Sequence, residues 1–200
     1  MAAEAAAGGA PGERSALLVV DVQNDFCPGG SLPVSDGDSV VPVLNDYAAR
    51  FAREGLPVIY SRDWHPAETT HFQTRGGPWP PHCVQGTYGA EFHPDLRLPA
   101  GAIVVSKGMG PAEDGYSAFV GRDAHGQKLE SVLRELGVQR LVVGGLATDY
   151  CVLNSVLEAL EAGLKVEVLC RGIRGVDLQP GDSARALEQM RSAGASLIED

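Results

Sequence analysis

Six short apolar runs rich in β-branched residues recur along the chain: ALLVVDV (16–22), PVIYS (57–61), AIVVS (102–106), RLVVGG (140–145), KVEVLC (165–170) and ASLI (195–198). Runs that are apolar at nearly every position, rather than at alternate ones, belong to strands covered on both faces. Separated by segments of helical period, they predict a parallel sheet between two helical layers. The helices are bounded by their punctuation. One opens at Asp38, its predicted acidic cap, and ends at Gly55; three others end at Gly137, Gly163 and Gly194. Pro42 falls in the first turn of its helix, where a missing N–H is tolerated. The expected fold is α/β: a three-layer α/β/α, Rossmann-like domain on a six-stranded, mainly parallel sheet.

Two connections, 62–101 and 107–124, exceed ordinary crossovers, and structureless loops of such length inside a compact domain are usually functional. In an open parallel sheet, ligands bind beyond the carboxyl ends of the strands, near the point where strand order reverses. Four candidate strands deliver reactive side chains to that edge: Asp21 after the first, Asp63 and His65 after the second, Lys107 after the third, Cys151 after the fourth.

In GGLATDYCV (144–152) the thiol stands at the mouth of a helix, with Thr148 and Asp149 as candidate caps. Unpaired N–H groups and the helix dipole favour thiolate there. A lone cysteine is more often a small buried hydrophobe. Lys107 and Asp21 change the balance, because a lysine lowers a neighbouring thiol's pKa and an aspartate can take its proton. The expectation is a nucleophile, Cys151, with Asp21 as base and Lys107 as charge partner.

The first long loop holds four of the five histidines and both tryptophans. Asp63 and His65 lie two apart on an extended strand end, which points both to one side. With His71 and His82 they form a nitrogen and oxygen ligand set suited to a divalent metal, Zn²⁺ first, with Fe²⁺ or Mn²⁺ as alternatives. Prolines around His82 in PWPPHC stiffen its approach; His93 and His125 lack such support and read as structural or surface residues.

Charge and cysteines narrow the partners. With 16 basic and 26 acidic residues, a net of −10, the chain carries no basic stripe, which speaks against nucleic acid and anionic membrane. The four cysteines include no CxxC pair and read as reduced thiols. Residues 1–14 are Ala/Gly-rich without the basic and apolar blocks of a signal peptide; they are expected to be a disordered tail before one domain, 15–200. No run reaches the roughly 20 apolar residues of a membrane span, and the expected location is cytoplasmic.

Six motifs in order, DVQNDFCPGGSL (21–32), RDWHP (62–66), WPPHC (79–83), SKG (106–108), YSAF (116–119) and GLATDYCV (145–152), resemble the nicotinamidase family within the isochorismatase-like cysteine hydrolases. The resemblance implies that fold and an amidohydrolase acting on a linear amide, nicotinamide or pyrazinamide, in NAD salvage. It implies Cys151, Asp21 and Lys107 as nucleophile, base and lysine. It also implies a metal held by Asp63, His65 and His82, with His71 a fourth ligand where the second histidine follows the first by six residues, as here. Many relatives place that histidine two residues earlier, where this chain has Thr69. A cis peptide before Ala147 is implied too, aiming the N–H groups of Ala147 and Cys151 at an oxyanion. Phe26, Leu32, Trp79 and Tyr116 resemble ring-binding walls. The alternatives are a sister amidohydrolase for another small amide and a non-catalytic metal- or ligand-binding homologue. A true isochorismatase needs neither the thiol nor the metal set. A homo-oligomer is left open.

Overall fold

The computed structural model describes residues 14–199; the expectation for the N-terminal tail lies, but for Arg14, outside the described residues. In chain order the elements are β1 (Ser15–Val20), α1 (Val41–Arg53), β2 (Val58–Asp63), β3 (Ile103–Lys107), α2 (Leu129–Glu135), β4 (Arg140–Leu146), α3 (Leu153–Glu161), β5 (Lys165–Arg174), α4 (Asp182–Ala193) and β6 (Ser196–Ile198). All six predicted strands are present. They form one sheet in the order β3-β2-β1-β4-β5-β6, and every neighbouring pair is parallel. Strand order reverses between β1 and β4, the position at which an open α/β sheet holds its ligand.

Alternation along β1 divides the core in two. Ala16, Leu18 and Val20 pack with Leu129, Leu133, Val156, Ala159, Ala186 and Met190 of α2, α3 and α4. Leu17 and Val19 face the opposite way and pack with Leu44, Ala48 and Phe51 of α1. Successive strand side chains point to opposite faces, so a strand apolar at every position requires a helical layer on each side. The three-layer arrangement follows. At ~25 cal/mol per Å² of apolar surface, each fully buried leucine or phenylalanine contributes about 1.5–3 kcal/mol.

Three local expectations are corrected. Asp38 caps no helix: it lies inside a 3₁₀ turn, Gly37–Val40, preceded by Asp36 in the left-handed region at φ 51°, and α1 begins only at Val41 with Pro42 in its first turn. Thr148 and Asp149 do not cap α3 either, because Thr148–Val152 forms a π-helical turn without a side-chain cap. The fifth strand runs past Cys170 to Arg174, through a register shift opposite Val143–Gly145 in β4. Gly172 interrupts the apolar pattern there, which hides the strand's continuation.

Gly145 shows why a glycine pair closes β4. Its φ is 126°, and a Cβ at this position would stand 2.0 Å from the Val20 carbonyl oxygen. Only a residue without a side chain lets β4 lie this close to β1 just before the turn that carries Cys151.

Candidate active site

Asp21, Asp63, Lys107 and Cys151 come from four separate strand ends and meet in one buried cluster. Lys107 is 1% exposed, Asp21 0%, Asp63 4% and Cys151 7%. An ammonium has three N–H bonds, and those of Lys107 go to Asp63 Oδ1, the Gly115 carbonyl and Cys151 Sγ, the last at 3.4 Å. Asp21 is held by charge instead: its Oδ2 lies 2.7 Å from Lys107 Nζ yet receives no aligned hydrogen bond. Its other oxygen accepts from Ser61 Oγ at 2.7 Å. Oδ2 therefore keeps an open acceptor position, and the Asp21 carboxylate lies within 4.8 Å of the thiol. Asp21 itself adopts φ 46°, which turns the chain sharply out of β1.

The electrostatics differ from the expectation of a resting thiolate. Burial pushes the Cys151 thiol well above the ordinary thiol range; Lys107 pulls it down, but Asp21 and Asp63 push it up. Two carboxylates against one ammonium leave no positive surplus for the sulfur. Burial, opposed by Lys107 and aided by Asp63, also raises Asp21 above the usual carboxylate range. Lys107 remains firmly charged, since the two aspartates outweigh its desolvation. Asp63 is different again: burial works to raise it, yet Lys107 and the neighbouring histidines hold it well below the usual range. The arrangement is a neutral thiol beside a carboxylate of raised basicity.

Beside this cluster, the ligand nitrogens of His65, His71 and His82 lie within 4.8 Å of one another, and all three residues are buried. Asp63 Oδ2 is 3.7 Å from His65 Nε2 and 3.9 Å from His82 Nε2. His65 Nδ1 contacts the Gly108 carbonyl at 3.1 Å and His82 Nδ1 the Pro80 carbonyl at 2.8 Å. Carbonyls only accept, so each Nδ1 carries the proton and each Nε2 presents a lone pair to the shared centre, the usual orientation of metal-binding imidazoles. His65 Nε2 is buried and, apart from the 3.7 Å approach of Asp63, makes no hydrogen bond among the described residues. Burial and the two neighbouring histidines lower His71 to about 4, and burial also lowers His82. Three buried imidazoles converging beside one carboxylate fit a divalent cation. Asp21, Asp63 and Cys151 converge similarly, but the Lys107 ammonium already fills that space.

Phe26, Leu32, Trp79, Tyr116, Tyr150, Ala147 and Val176 join Asp63, His71, His82 and Cys151 around a narrow cleft. Trp79 Nε1–H donates to Tyr116 Oη at 2.8 Å, and the Trp79 and Tyr116 rings pack on Tyr150 at 5.0 and 5.9 Å. The Leu146–Ala147 peptide is cis, as the resemblance implied. His125 is exposed and His93 caps a local turn through Asp95 N–H; neither reaches the cleft. Tyr150 and Val176 were missed from sequence. Tyr150, directly before the cysteine, could have been inferred from its neighbour; Val176 sits in a loop without any signal. Gln23 was missed as well: its amide spans both the N–H and the carbonyl of Asp63, each at 2.8 Å, and fixes that strand end.

Comparison with known proteins places this geometry. Residues 15–199 match the isochorismatase domain. The chain belongs to the isochorismatase family. Within it, the chain is 45% identical over 198 residues to a nicotinamidase of Escherichia coli K12, covering 91% of this chain and 93% of that one. The pyrazinamidase of Pyrococcus horikoshii, solved in complex with zinc, superposes with a TM-score of 0.86 at 43% identity, covering 94% and 99% of the two chains. A Leishmania infantum protein solved in complex with nicotinate gives 0.82 at 32% identity, covering 93% and 92%.

Proposed function

We propose that the chain is a nicotinamidase, an amidohydrolase that converts nicotinamide to nicotinate and ammonia for NAD salvage. The observation that carries this reading is Lys107 bridging Asp21 and Cys151 at 2.7 and 3.4 Å, with Cys151 lining an aromatic cleft. The named relatives support the same substrate.

In the mechanism, Asp21 Oδ2 takes the thiol proton as Cys151 Sγ attacks the carboxamide carbon. A thiol of raised pKa next to a base of raised pKa favours transfer during attack over a standing thiolate. The carbonyl oxygen becomes an oxyanion, and the N–H groups of Ala147 and Cys151 hold it. Asp21 gives its proton to the amide nitrogen, the C–N bond breaks, and ammonia leaves a nicotinoyl thioester. Water then loses a proton to Asp21 and adds to the thioester carbon; the C–S bond breaks and the thiolate recovers the proton. Lys107 favours the ionised form of Asp21 before each proton transfer and holds Cys151 aligned. Phe26, Leu32, Trp79 and Tyr116 hold the pyridine ring. Asp63, His65, His71 and His82 would hold a divalent ion, zinc by the donor set, which would supply Lewis-acid chemistry to the cleft.

Ammonia release from nicotinamide by the purified protein tests the reading, with pyrazinamide as second substrate. Turnover that survives in Cys151→Ala would overturn it.

A further inference from the structure

Asp149 was an expected helix cap, and the structure gives its carboxylate another task. Oδ1 accepts the N–H of Val176 and Oδ2 the N–H of Asp177, both at 2.8 Å, from the loop that follows β5. A carboxylate accepting two backbone amides is a strong, directional clamp. The clamped residues matter for different reasons. Val176 forms one wall of the cleft and packs on the core cluster containing Phe26, Leu146 and Ala147. Asp177, at φ 50°, passes the restraint on to α4, since its own carboxylate accepts the N–H and the hydroxyl of Ser183 at 2.8 and 2.7 Å. Three consecutive residues of the π-helical turn thus serve the cleft. Cys151 is the nucleophile, Tyr150 is an aromatic wall, and Asp149 holds the Val176 wall in place.

We propose that Asp149 is a specificity-determining positioning residue: by clamping the 176–177 amides it fixes Val176 over the cleft and limits the size of ring that can reach Cys151. The inference rests on the amidohydrolase reading only for the identity of the ring, because the space around the thiol is a property of the cleft. Without the clamp, the loop loses two charge-assisted hydrogen bonds while the cysteine, its base and its lysine keep all of theirs. The small substrate then binds less well, and larger rings gain entry.

The test compares wild type with Asp149→Ala, Asp149→Asn and Val176→Ala in two assays. The first is alkylation of Cys151 by iodoacetamide and by a bulky N-aryl iodoacetamide, read by mass spectrometry of the Cys151 peptide. The bulky-to-small rate ratio should rise about tenfold in Asp149→Ala and in Val176→Ala, and by less in Asp149→Asn, where one acceptor oxygen survives. The second is steady-state hydrolysis of nicotinamide and a ring-methylated nicotinamide. Asp149→Ala should raise KM for nicotinamide about tenfold with kcat within about threefold, and should shift preference toward the methylated ring. A merely structural Asp149 would slow both reagents and both amides in proportion. Unchanged ratios in Asp149→Ala would overturn the proposal. Wild-type protein inert toward nicotinamide yet alkylated with the stated selectivity would reject the nicotinamidase reading and leave the clamp standing.

Discussion

Lys107 carries three N–H groups and touches four acceptors, and that mismatch organises the chemistry. Asp63, the Gly115 carbonyl and Cys151 take the aligned bonds, which leaves Asp21 Oδ2 close by charge but free to accept a proton. Lys107→Met should therefore do two things. It should abolish turnover, and it should destabilise the fold by about 3–5 kcal/mol at neutral pH, because two buried carboxylates then face each other without a counter-charge. Urea denaturation checks the second effect; unchanged stability would mean that the aspartates are solvated. In the proposed mechanism Asp21, raised by burial, sets the acid limb. The base works only when ionised, so activity is lost as pH falls through its pKa. Burial raises that pKa, so the loss should begin at higher pH than for an ordinary carboxylate. A kcat/KM profile with its acid limb at the usual carboxylate range would contradict the assignment.

At the scale of elements, glycines set how near the strands and loops that build the site can come. Gly145→Ala forces a Cβ to 2.0 Å from Val20 O at φ 126°, between the two strands that flank the switch point. It should destabilise by more than about 3 kcal/mol or prevent folding, read by thermal melting and soluble yield. Gly108 stands at the end of β3 with φ 63°, and a Cβ there would meet the His65 ring at 2.3 Å. Its carbonyl also orients that ring. Gly108→Ala should lower zinc affinity by about 10–100-fold in a competition titration with a chromophoric chelator, while the melting temperature falls less than in Gly145→Ala. Zinc affinity equal to wild type would show that the ring is free to move. These effects belong to pairs of elements, since neither glycine lines the substrate cleft.

For the whole molecule, the sheet order brings side chains from distant parts of the sequence, His65, His71 and His82 among them, beside the Cys151 thiol. His71→Ala removes one of the four proposed donors and should lower zinc affinity and nicotinamide kcat/KM together, with the alkylation of Cys151 by iodoacetamide unchanged. Removal of metal with a chelator should lower nicotinamide turnover toward that of benzamide, which lacks the ring nitrogen, and added zinc should restore it. Equal rates for the two amides on zinc-loaded protein would reject a role for the ion in holding the ring. Among the described residues, no helix is long and apolar enough to cross a membrane.

The sequence by itself determined the strands, the layers and the candidates that gather at the carboxyl edge of the sheet. Apolar runs and glycine stops are local consequences of burial on two faces and of helix termination, and each reactive side chain was marked by its place at a strand end. The motifs implied the cis peptide before Ala147 and singled out the histidines that the fold gathers. Tertiary structure alone decided three matters. Whether Cys151 rests as thiol or thiolate depends on summed charge and burial from four strand ends, and burial with two aspartates outweighs one lysine. Whether Asp149 caps its own helix or clamps a loop 27 residues away depends on where β5 ends, which Gly172 conceals. Val176 and Gln23 had no local signal, because a wall or a brace is defined by what lies opposite it. Such roles are distances between residues far apart in the chain, and no one-dimensional pattern contains them.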